Sequence, residues 1–174
     1  MRTLPLLSCG WHGWLGAIVI ALAAVAPARA VDLSGSYVDG GTAVTSGVGR
    51  TLAEPSLYAL LSLEFDPAMV KVLRERTSHV TIAHTAGEMN LEVFDENGTV
   101  SWSVRWIEEE GYVERGERVF LRFPAPREEK DEIIVVLERV EPHGLLQVSV
   151  QRVTPTLLGP VSEKPEVYLF HRMP

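Results

Sequence analysis

Five histidines, 23 acidic residues and four tryptophans are the side chains best equipped for chemistry in this 174-residue chain, and their spacing limits which chemistry is open to them. His79 and His84 differ by an odd number, so on one regular strand they point to opposite faces and cannot share an ion. His143 sits among turn residues and His171 near the C-terminus; no pair has chelate spacing, so surface roles and no metal site are expected. Glu108-Glu109-Glu110, and Glu128 and Glu129 with Asp131 and Glu132, lack the spaced ligands and glycine of a calcium loop and are expected to be solvated loops. Catalytic signatures are absent: there is no Gly-x-Ser-x-Gly, no Gly-Lys-Ser/Thr, and Gly47-x-Gly49 lacks the third glycine of a dinucleotide loop. Carboxylate pairs assembled only by folding leave no spacing signal. The expectation is a non-enzyme without a cofactor.

The first thirty residues explain where such a protein works. An apolar run over 14–26 follows Arg2 and ends in Ala28-Arg29-Ala30, a small-x-small site that a signal peptidase cuts between Ala30 and Val31. The run is shorter than the roughly 20 apolar residues a bilayer span needs. Residues 1–30 therefore read as a cleaved signal peptide, and 31–174 as one exported domain, periplasmic or secreted, with no stable membrane insertion. The only cysteine, Cys9, leaves with the leader, so no disulfide or thiolate site is expected afterwards. Leu6-Leu7-Ser8-Cys9 precedes the apolar run, whereas a lipoprotein box closes it, so lipidation there is not expected. Cleavage removes Arg2 and Arg29 and no acid, taking the formal charge from −7 to −9. That balance argues against nucleic acid or an anionic membrane as partner.

Period-two alternation dominates the domain. Asp32-Leu33-Ser34-Gly35-Ser36-Tyr37-Val38 reads as an opening strand, 40–49 as a loop, and Leu57, Leu60 and Leu61 as one short helix behind Pro55. The stretch 66–76 is ambiguous: Asp66-Pro67 suits a helix start, while Met69-Val70-Lys71-Val72-Leu73 reads as a strand, the reading favoured for its second half. Val80 and Ile82, then Met89, Leu91 and Val93, share faces on consecutive strands. Asp95-Glu96-Asn97-Gly98 is a strong hairpin turn, and its Asp95-x-Asn97-x-Thr99 also fits an extended bacterial glycosylation pattern. Beyond it Val100, Trp102, Val104 and Trp106 alternate with Ser101, Ser103 and Arg105. A further turn is expected at Arg115-Gly116-Glu117, a doubly apolar strand over 133–137, a turn at Pro142-His143-Gly144, a loop over 154–165 and a closing strand over 166–172. These elements predict an all-β fold, a single antiparallel barrel of about eight strands with one short helix.

Four features make the chain resemble the small lipocalin-like exported β-barrels of bacterial envelopes: the opening 32–37 segment, Pro55-Ser56-Leu57, the Asp95–Gly98 hairpin, and Tyr168-Leu169-Phe170-His171-Arg172. In that superfamily a Gly-x-Trp begins the first strand and a basic residue near the C-terminus packs over the Trp to close the barrel. The resemblance puts Gly35, Tyr37 and Arg172 in those places, with Tyr for Trp. Similar proteins often carry a lipidated cysteine at the mature N-terminus; here that position is Val31, which implies an unanchored form.

Trp102, Val104 and Trp106 would then project inward, lining a ligand cavity or filling the core. The favoured expectation is binding of a small apolar ligand, or an envelope accessory role. The alternatives are an interaction module, such as an inhibitor of a secreted enzyme, presenting 40–54 and 154–165 with an apolar patch at Val44, Val48, Leu157 and Leu158, and an enzyme acting on envelope polymers.

Overall fold

Alternating apolar residues become strands throughout the computed structural model, which describes residues 31–45, 54–124 and 131–174. In chain order these hold β1 (Gly35–Val38), β2 (Thr42–Thr45), α1 (Leu57–Leu61), α2 (Pro67–Arg76), β3 (Thr77–Thr85), β4 (Glu88–Asp95) and β5 (Val100–Ile107). Then come β6 (Tyr112–Arg115), β7 (Arg118–Pro124), β8 (Glu132–Val140), β9 (Leu145–Thr156), β10 (Gly159–Ser162) and β11 (Glu166–Phe170). Residues 1–30, expected to be a leader cut after Ala30, lie outside the described residues.

Two antiparallel sheets result, one in the order β1-β3-β4-β5, the other β2-β11-β9-β8-β7-β6 with β10 on the far half of β9. Among the described residues they are not closed into a single barrel, and the strands number eleven where about eight were expected. The physical reason is strand length at the seams. β1 has four residues and β11 ends at Phe170, so among the described residues Val38 N–H to the His171 carbonyl (2.9 Å) and Met173 N–H to the Ser36 carbonyl (2.7 Å) join the sheets on one side. On the other, Glu109 N–H reaches the Tyr112 carbonyl (2.8 Å) across the β5–β6 turn.

The core lies between the sheets, where the period of two puts Val80 and Ile82, Met89, Leu91 and Val93, Val119 and Leu121, Val135 and Leu137, and Leu146 and Val148 out of solvent. Register pairs Val93 with Trp102, Leu91 with Val104 and Met89 with Trp106, so these three β5 residues share the inner face, whereas Val100, expected beside them, pairs with Phe94 across a register shift and is exposed. Turn chemistry holds too. Asp95 Oδ1 accepts the Asn97 and Thr99 N–H groups, and Gly98 takes φ 74°, which an L side chain resists.

Three expectations change. The second half of 66–76 is helix, because the Asp66 side chain accepts Ala68 N–H (2.9 Å) and Met69 N–H (3.4 Å), Pro67 occupies the first turn, and Arg74 and Arg76 meet the negative end of the helix dipole. The fold thus has a second helix beside the expected one. Part of 40–49 is strand, since Thr42–Thr45 pairs with β11; 46–49, with Val48, lies outside the described residues. Most of 154–165 is a hairpin: Pro155 faces Pro160 at an edge where the absent N–H groups cost little, and Gly159 turns at φ 117°.

Candidate functional site

α1 and α2 are held so as to leave a cleft against the β4–β5 turn. Ser56 caps α1, accepting Ala59 N–H at 3.0 Å, and buries Leu57, Ala59, Leu60 and Leu61. Tyr58 falls off that apolar stripe and faces outward. Its N–H donates to Asp39 Oδ1 (2.8 Å), while Leu57 N–H donates to the Asp39 carbonyl (2.9 Å), so one buried aspartate fixes the start of the helix. Burial pushes the Asp39 carboxyl above its usual pKa, against the Tyr58 N–H, the nearby Ser56 hydroxyl and Arg74, and its Oδ2 makes no hydrogen bond of its own. Burial also raises the Tyr58 phenol.

The cleft has a volume of about 440 Å³. One wall is the Tyr58 ring and Leu73; α2 and the start of β3 add Glu75, Arg76 and Thr77; the hairpin adds Asp95, Glu96, Asn97 and Ser101. Tyr58 cannot swing freely, because Trp102 packs against it with ring centroids 5.2 Å apart at 43°. Around the rim, Arg74 pairs with Glu54, and Lys71 with Glu75 at 3.9 Å, whereas Arg76 has no ion-pair partner among the described residues. The cleft thus combines one aromatic side chain with a polar rim that is partly paired.

None of Trp102, Val104 and Trp106 lines this cleft. All three are half-buried against the core; Trp102 reaches the cleft only through Tyr58, and Trp106 packs edge-on to Phe123 (6.1 Å, 63°) and against Gly111. Gly35, Tyr37 and Arg172 do meet. A Cβ on Gly35 would lie 2.6 Å from Arg172 Nε, so only glycine lets the guanidinium cross there, and the buried Tyr37 hydroxyl donates to the Leu33 carbonyl (2.9 Å).

The histidine expectation needs a correction. His79 and His84 do face opposite ways, but His84 is a buried link between the sheets and has no surface role. Its Nε2 lies 3.0 Å from Glu114 Oε1, off the line of a hydrogen bond, its Nδ1 has no partner, and the Tyr112 ring stands edge-on at 5.7 Å. Burial first, then Glu114, pushes the Tyr112 phenol up to about 12, and its hydroxyl also lacks a partner. Asp131 is likewise no solvated loop residue: it is buried, with Arg152 Nη1 3.6 Å from its Oδ2. Glu128 and Glu129 lie outside the described residues. Among the described residues no three His, Asp or Glu side chains converge as metal ligands, and no helix is long and apolar enough to cross a membrane.

Sequence reasoning missed Tyr58, Arg76 and Asn97 as site residues. Only Tyr58 carried a signal, as an aromatic that falls off the Leu57, Leu60, Leu61 stripe and is only partly buried. No protein-family model and no curated protein sequence matches the chain.

Proposed function

We propose that the chain is an exported, non-enzymatic lipocalin-like protein of the bacterial envelope, its barrel opened at two seams, that binds a small ligand in the helix–hairpin cleft. The observation that carries this is the cleft itself: about 440 Å³ lies within the range of small-molecule sites, and an aromatic side chain braced from behind gives it a preformed wall. The leader over 1–30 supports export, and the Arg172 guanidinium against Gly35 supports the lipocalin likeness. Native mass spectrometry of protein recovered from exporting cells tests the reading. A mass beginning at Val31 with an adduct that is lost on unfolding and absent from Tyr58→Ala is expected. A cargo-free wild type, or an adduct kept by Tyr58→Ala, contradicts binding in the cleft; a mass retaining the leader contradicts export.

A second reading, an interaction module, draws on Leu157 and Leu158, fully exposed at the β9–β10 tip, with Val44 exposed on β2. Pull-down from envelope extract with wild type and Leu157→Ser/Leu158→Ser distinguishes it. A partner retained by wild type and lost by the variant supports this reading, and equal recovery removes it.

A further inference from the structure

We infer that the cleft recognises a neutral saccharide, a reading that rests on the proposed ligand-binding role and names its ligand class. The C–H face of a sugar ring stacks on an aromatic face, and Tyr58 offers one whose position is fixed twice, by Asp39 on its backbone and by Trp102 on its ring. Each sugar hydroxyl both donates and accepts, so it needs a rim of mixed character. Among the described residues Asp95 spends Oδ1 on the turn and no partner reaches its Oδ2, the Asn97 side-chain amide or the Arg76 guanidinium.

Charge and polarity discriminate against other ligands. With Glu75 paired to Lys71, Asp95 and Glu96 still outnumber Arg76, which disfavours phosphates and carboxylates. Tyr58 and Leu73 are too little apolar surface for a lipid chain, so the apolar ligand expected from the sequence does not suit this lining. An organic cation would find a single aromatic face with a guanidinium beside it.

The test is an amide-resolved NMR titration of the exported chain. The probes are glucose, N-acetylglucosamine and cellobiose as neutral sugars, with glucosamine and glucuronate as charged controls. Neutral sugars are expected to shift Thr77, Asn97 and Ser101 saturably, and glucuronate to bind more weakly. Tyr58→Phe should keep the affinity, and Tyr58→Ala should lose about tenfold, the scale of one stacking contact. A Tyr58→Ala that binds as well as wild type overturns the proposal. If only glucosamine or glucuronate shifts these amides, the neutral character proposed for the ligand is wrong and the binding site stands. If no probe shifts them and the exported protein also carries no cargo, both readings fail.

Discussion

Asp39 positions a wall of the cleft without lining it, through the bond that its Oδ1 accepts from Tyr58 N–H. Its burial is a cost carried by the folded state, seen in its raised pKa, and in return it anchors the turn that presents Tyr58. A carboxyl whose folded pKa is raised stabilises the fold while protonated; that contribution is complete below the ordinary value of 3.8 and is lost as pH rises through the folded value. Asp39→Asn keeps an oxygen to accept Tyr58 N–H and cannot ionise. Denaturant unfolding across pH should therefore show the variant gaining on wild type as pH climbs above 3.8, and a difference flat with pH would refute the assignment. Tyr112 follows the same sign at the alkaline end. Its phenol should remain protonated past the usual 10, with an absorbance midpoint near 12, and a midpoint at the ordinary value would mean that its hydroxyl is solvated.

Among the elements, α2 forms the cleft wall with the fewest supports, since Val70 is its single buried residue. Its stability depends on local chemistry, the Asp66 cap above all. Asp66→Ala should cost about 1 kcal/mol and weaken ligand binding along with it. Circular dichroism during denaturation reads the first, and an unchanged midpoint would show that packing against α1 and β3 alone holds the helix. The same segment shows where sequence reasoning reached its limit. Met69 to Leu73 has strand-like composition, and the cap and proline that override it act over three residues, against a pattern judged over five. Strands with a wet and a dry side, such as β4 and β5, were legible because alternation is a local signal. The cleft was not, because its walls come from residues 58, 73–77 and 95–101, which meet only after folding. The His84–Glu114 contact was hidden for the same reason: odd spacing excluded a shared ion with His79 but could not reveal a partner on the opposite sheet.

The whole molecule is two sheets around one core, tied at the edges by a few hydrogen bonds. Interior ladders such as β8–β9 run over nine residue pairs, so opening should begin at the seams. Hydrogen exchange should find Val38 and Met173 amides less protected than those of Val135 and Val148, and uniform protection would mean that the sheets behave as one closed barrel. The role proposed for this scaffold is to hold a small ligand between α2 and the β4–β5 turn. A crystal structure of the protein recovered with its cargo tests that most directly. Density stacked on Tyr58 within reach of Arg76 and Asn97 is the expected result; cargo between the sheets beside Trp106, with the cleft holding only solvent, would contradict it.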